Sequence, residues 1–181
     1  MWLYQQFYFA IALTVYAILW AVGQPPDPRL CSNLADDKFV TLFYGILDSQ
    51  QHTVQYTNAG HLPPMVVRAS GVAEQLSDGG AVLGVFPRWK YEDGITRLAP
   101  GDRLFLFTDG ITEAMRSDGQ EFGEAGLLNA ARSGADLAPA DLKTHLLARV
   151  NAFCNSQLHD DATLMVVAAV DLNESREKFD R

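Results

Sequence analysis

The run Asp102-Arg103-Leu104-Phe105-Leu106-Phe107-Thr108-Asp109-Gly110 decides how the rest of the chain is read. A block of leucine and phenylalanine runs into a single carboxylate, and glycine follows at once. Such a run reads as a buried strand ended by a turn. Asp109 then stands where a strand leaves its sheet, and a carboxylate there is costly unless something pairs with it. A bound cation is the least costly partner. A second acidic strand end lies near the C-terminus: His159-Asp160-Asp161-Ala162-Thr163 directly precedes Leu164-Met165-Val166-Val167-Ala168-Ala169-Val170. The sequence reads as a scaffold that brings these two acidic strand ends together.

Upstream of the first run, residues 39–47 are β-branched and aromatic and predict a strand. Residues 53–58 alternate in polarity like a half-buried strand, and the polar turn at 48–52 joins the two into an antiparallel hairpin. Asn58-Ala59-Gly60-His61-Leu62-Pro63-Pro64 leaves the sheet as a tight loop, and residues 65–68 return as a strand. Gly79-Gly80-Ala81-Val82-Leu83-Gly84 is a glycine-rich loop with neither a lysine nor a following helix, so it is not a P-loop. Residues 91–98 predict another strand, and Pro100-Gly101-Asp102 a turn. Downstream the period changes. Residues 123–132 have helical spacing, and residues 139–155 more so, with Leu142, Leu146, Leu147, Val150 and Phe153 on one face. Pro139 suits the first turn of that helix. Residues 163–170 form the last strand. Helix, antiparallel strands, two helices and a strand make an α+β chain.

The ends of the chain differ from its middle. Residues 1–24 carry no charged side chain, and residues 7–22 are nearly all apolar. A membrane span takes about 20 such residues, so a membrane anchor and a helix buried within the domain both fit the pattern. No basic segment precedes the apolar run as it would in a signal peptide. Gly23-Gln24-Pro25-Pro26-Asp27-Pro28 stops the helix and forms a linker. The division that follows is helix and linker at 1–28, one domain at 29–172 and a polar tail at 173–181. The net charge of −8, with no Lys/Arg cluster, argues against nucleic acid as a partner. Cys31 and Cys154 form no CxxC pair, which points to a reducing compartment and a cytoplasmic location.

Asp109, Asp160 and Asp161 are the candidate metal ligands. Hard divalent ions take carboxylate and water oxygens, acidify bound water and neutralise phosphoryl oxygens. The plainer alternative is that Asp109 caps a turn and Asp160-Asp161 is a solvated loop. His61, close to Asn58 in a rigid loop, could serve as a general acid or a phosphate contact, but on sequence alone a hydrogen-bonded structural histidine is the plainer reading. No HExxH, CxxC or nucleophile elbow supports zinc-protease or serine-hydrolase chemistry. An aspartyl-phosphate mechanism wants a second aspartate two residues after the first, where this chain has Ile111.

Four stretches taken together resemble one family. They are Phe39-Val40-Thr41-Leu42-Phe43-Tyr44-Gly45, Asn58-Ala59-Gly60-His61-Leu62-Pro63-Pro64, Leu106-Phe107-Thr108-Asp109-Gly110-Ile111-Thr112-Glu113-Ala114 and Asp160-Asp161-Ala162-Thr163-Leu164. Leu83-Gly84 and Leu98-Ala99-Pro100-Gly101-Asp102 fit the same pattern in the same order. The chain is similar to the bacterial metal-dependent serine/threonine phosphatases of the SpoIIE and RsbU type, within the PPM superfamily. The resemblance implies an α-β-β-α sandwich of two antiparallel sheets flanked by helices. It implies hydrolysis of phosphoserine or phosphothreonine by water bound to Mn²⁺ or Mg²⁺, with a phosphorylated anti-sigma-factor antagonist as substrate. Asp109 and Asp160 would be catalytic metal ligands, and Asp161 would support the site or bind through water. Asn58, Gly60 and His61 match a family motif in a substrate or structural loop.

The family also carries an earlier Asp-x-Ser-Gly motif, which this sequence lacks. The resemblance therefore implies a domain truncated at its front, with residues 7–22 as a sheet-covering helix more than a membrane anchor. It further implies exposed sheet edges that favour self-association. Two functions follow as expectations: a phosphatase whose metal centre is depleted, or a non-catalytic phosphoprotein-binding module of the same fold.

Overall fold

A computed structural model describes residues 39–170. The expected helix at 7–22, the linker and the polar tail lie outside the described residues. The described chain divides into two compact units, each made of two stretches.

The first unit takes in residues up to 63 together with Leu76–Arg97. Its centre is the hairpin the alternation predicts: β1 (Leu42–Asp48) pairs antiparallel with β2 (Thr53–Ala59), from Leu42 opposite Ala59 to Asp48 opposite Thr53. The turn between them is fixed by Asp48, whose Oδ1 accepts the N–H groups of Gln50 and Gln51 at 2.8 and 2.9 Å. One face of β2 is buried through Val54, Tyr56 and Asn58, while Gln55 between them is exposed. This is the period of two that a half-buried strand requires. The other side of β2 is completed by two segments further along the chain. These are a two-residue parallel strand (Gly79–Gly80) and an antiparallel one (Gly94–Arg97).

The second unit is Pro64–Gln75 with the chain from Leu98 onward. For its strands we write β3 (Met65–Val67), β4 (Ala73–Gln75), β5 (Gly79–Gly80, in the first unit), β6 (Gly94–Arg97, likewise), β7 (Arg103–Phe107) and β8 (Leu164–Ala168). The second sheet has the order β4-β3-β7-β8, antiparallel throughout. Three helices complete it: α1 (Asp109–Thr112), α2 (Gly123–Ser133) and α3 (Pro139–Phe153). On α3, Leu142, Leu146 and Val150 recur every fourth residue and are almost fully buried. That stripe packs towards β8 and α2. Phe105, Ile111, Leu127 and Val66 fill the rest of this core.

The expected α+β class stands, with two mostly antiparallel sheets and helices. Three short elements were not legible. β4 is a three-residue hairpin return after Gly71. Gly79-Gly80, expected as loop, pairs with β2 because neither residue has a Cβ; one on Gly79 would strike the Asn58 backbone. The expected turn after Phe107 is the single helical turn α1.

Candidate metal centre

The two acidic segments meet because of one strand pairing. β7 and β8 run antiparallel with Phe107 opposite Leu164, so the end of one lies beside the start of the other. The pairing continues past the strands: the Thr108 N–H donates to the Thr163 carbonyl at 3.1 Å. Two residues on, Gly110 lies against the Asp161–Ala162 peptide so closely that a Cβ would fall 2.7 Å from the Asp161 carbonyl oxygen. Residues 53 apart in sequence are thus joined, as the hydroxyl of Thr108 donating to the Asp161 carbonyl at 2.9 Å also shows.

The local chemistry of each aspartate follows from its backbone. Asp109 occupies the first turn of α1, where its Oδ1 accepts the Gly110 N–H at 2.9 Å. Asp160 Oδ1 likewise accepts the Asp161 N–H at 2.7 Å. All three aspartates are exposed. The burial cost that the sequence suggested for Asp109 therefore does not apply: the strand end opens to solvent, and hydration and the adjacent amide satisfy the carboxylate.

Among the described residues, no group of three or more His, Cys, Asp or Glu side chains is placed to hold a metal ion. What the structure brings together is the two backbone segments that carry these aspartates, with carboxylate and carbonyl oxygens as their donor types. Such a set fits a hard divalent ion that takes the rest of its shell from water, as Mg²⁺ does with one or two carboxylates. It does not amount to a closed cage of protein ligands.

Asn58, Gly60 and His61 lie in the first unit. The Asn58 side chain is 4% exposed and holds the loop from both sides. Its Oδ1 accepts the His61 N–H at 2.8 Å, and its Nδ2 donates to the carbonyls of His61 at 3.0 Å and Leu76 at 3.4 Å. Gly60 takes a left-handed conformation (φ +71°), and a Cβ there would strike Val82. His61 is half-buried, and its Nδ1 lies 2.8 Å from the Leu62 carbonyl. Since a carbonyl only accepts, Nδ1 carries the proton in that contact.

Asp102, which the sequence placed in a turn, is a buried hub of the second unit at 3% exposure. Its carboxylate accepts from Ala69 N–H at 2.9 Å, Ala99 N–H at 3.0 Å and Arg68 Nη1 at 2.9 Å. Burial pushes its pKa up, but the Arg68 guanidinium and the two amides outweigh burial and hold it below the usual carboxylate range. Arg68 in turn is raised, chiefly by its hydrogen bond to Glu74. The hub ties the end of β3 to the entry of β7, the strand that leads to Asp109. A carboxylate directly after Pro-Gly at a strand start was the available signal.

The phosphatase domain of the cell fate determinant SpoIIE from Bacillus subtilis, presoaked with Mn, superposes with a TM-score of 0.60 at 20% identity, covering 91% of this chain and 78% of that one. The fold is that of PP2C phosphatase domains. The family model for stage II sporulation protein E (SpoIIE) matches residues 26–170, and the chain belongs to that family. Phosphoserine phosphatase RsbU of Bacillus subtilis is 27% identical over 143 residues, which is 75% of this chain and 40% of RsbU. Protein IcfG of Synechocystis sp. (strain ATCC 27184 / PCC 6803 / Kazusa) is 29% identical over 132 residues, 71% of this chain and 20% of IcfG. The chain thus spans less than half the length of either relative. Among the described residues no helix is long and apolar enough to cross a membrane.

Proposed function

We propose that residues 29–172 form a cytoplasmic protein phosphatase domain that hydrolyses phosphoserine or phosphothreonine on a protein like an anti-sigma-factor antagonist. Membership of the SpoIIE family supports the reaction class. The observation that carries the site is the pairing of β7 with β8, which joins the Asp109 and Asp160-Asp161 segments. In this reading Asp109 and Asp160 are the catalytic metal ligands, and Asp161 holds the ion directly or through water. A bound Mn²⁺ or Mg²⁺ supplies acidified water and neutralises phosphoryl oxygens. The chain's own part is to present oxygens at two strand ends and hold their spacing. Asn58 fixes the loop of Gly60 and His61, which meets substrate or shapes the fold around it.

The test is phosphate release from a phosphoserine antagonist protein with Mn²⁺ present. Chelator and Asp109→Asn are each expected to lower the rate at least about a hundredfold, in the range seen when a catalytic electrostatic contact is removed. Activity that survives both sinks the mechanism. One observation favours a second reading, a phosphoprotein-binding module without catalysis: no three-ligand cluster occurs among the described residues. Calorimetric titration with Mn²⁺ separates the two, since tight, Asp109-dependent binding belongs to the first alone.

A further inference from the structure

We infer that Thr108 is a positioning residue, and that its side-chain hydroxyl sets the spacing between the Asp109 and Asp160-Asp161 segments. The inference rests on reading these aspartates as ion ligands. Thr108 stands at the N-cap position of α1, where a threonine ordinarily caps its own helix through Oγ1. Thr108 makes no such cap. Its hydroxyl reaches across to the other strand end instead. It donates to the Asp161 carbonyl at 2.9 Å and accepts the Thr163 N–H at 2.9 Å. A hydroxyl has one proton, and here that proton is committed to Asp161. With the backbone bond from Thr108 N–H to Thr163 O, three hydrogen bonds clasp one residue to the segment that carries both C-terminal aspartates.

The clasp continues into the carboxylates. The Asp161 carbonyl accepts from Thr108, and the Asp161 N–H donates to Asp160 Oδ1 at 2.7 Å. A chain of bonds therefore runs from the end of β7 to the Asp160 side chain. Asp109 is the residue directly after Thr108, so the same residue anchors the ligands on both sides. Removing the hydroxyl leaves the strand pairing in place but frees the Asp161 carbonyl and the Thr163 amide. The two acidic segments then lose their fixed separation while the core is untouched.

Thr108→Val keeps the shape and deletes the hydroxyl; Thr108→Ser keeps the hydroxyl. The two variants and the wild type are compared by Mn²⁺ titration followed by electron paramagnetic resonance. Hydrogen exchange at the Thr163 amide is measured alongside, well below the melting temperature. The valine variant is expected to bind Mn²⁺ about fivefold or more weakly and to exchange Thr163 faster, with serine close to wild type. Should Thr108→Val fail to fold, Thr108→Ala takes its place in the same comparison. Faster exchange with unchanged Mn²⁺ affinity overturns the positioning role, as does a serine variant as weak as valine. A wild type whose Mn²⁺ binding ignores Asp109→Asn overturns the ion reading and this role with it. Faster Thr163 exchange in the valine variant then still establishes the clasp and locates the failure in the ion reading.

Discussion

Gly110→Ala isolates the contact on which the site depends. Gly110 is buried in α1, so alanine suits its helical backbone and by propensity alone would stabilise it by about 1 kcal/mol. Space decides otherwise. The new methyl would lie 2.7 Å from the Asp161 oxygen, 2.9 Å from its carbon and 3.2 Å from the Ala162 nitrogen, against 3.4 Å for ordinary contact. The obstacle is backbone, not the tip of a flexible side chain, so the segments must part by about 0.7 Å. Overpacking of this kind costs about 1–3 kcal/mol, which leaves a net loss of up to about 2 kcal/mol after the gain in propensity. For a chain of this size that corresponds to a melting temperature lower by up to about 8 °C. The larger effect is expected on the site, because the same displacement falls on Asp160 and Asp161. Differential scanning fluorimetry gives the first quantity and Mn²⁺ titration the second. Gly119→Ala is the control: its backbone is left-handed (φ +84°) but nothing lies within 4 Å of a Cβ, so it strains the loop without touching the aspartates. A Gly110→Ala protein that binds Mn²⁺ as the wild type does, with an unchanged melting temperature, would refute the reasoning.

Asp102→Ala takes the carboxylate acceptor from the Ala69 and Ala99 amides and removes one of Arg68's two acidic partners, and is expected to cost about 2–4 kcal/mol in urea denaturation. Because the Asp102 pKa is depressed in the folded chain, its contribution is fully present above the unfolded value of about 3.9 and is lost as pH falls through the folded value. The variant should accordingly show a shallower loss of stability below about pH 4 than the wild type, read from melts across that range. Asn58→Asp keeps the acceptor for the His61 N–H but removes the donors to His61 and Leu76, and should lower stability by about 1–3 kcal/mol; a melt indistinguishable from wild type would rule out the staple. Leu146→Ala, at a fully buried position of α3, is expected to cost about 2–5 kcal/mol by chemical denaturation.

Hydrophobic period carried most of the fold. The hairpin of β1 and β2, strands β7 and β8, and helices α2 and α3 all show as runs or stripes long enough to have a period, and β3 shows as an apolar run after Pro63-Pro64. β4 and β5 have three and two residues, too few to express one. Their pairing is set by partners distant in sequence, and for β5 by the missing Cβ of glycine. At the candidate site the residue types were legible and their surroundings were not. Asp109 and Asp160 stand out as carboxylates beside apolar runs, but that both are exposed depends on how the strand ends project. Asp102 looked like turn chemistry because Pro-Gly precedes it, and Ala99 is indeed a partner within that turn, while Arg68 and Ala69 come from the loop after β3, 34 and 33 residues away in sequence. Thr108 carried a signal in being a hydroxyl residue between a buried strand and Asp-Gly. Which of its possible partners it takes is fixed only by the β7–β8 register.

β8 pairs with β7 alone among the described strands, and every one of its five residues is only half-buried. An outermost strand of that kind detaches locally at a far smaller free-energy cost than unfolding of the whole domain. Such a detachment carries Asp160 and Asp161 away from Asp109 while the helices and the other strands stay in place. Any cation lodged between the two strand ends would oppose it by mass action, so that ion occupancy and closure of this seam rise and fall together.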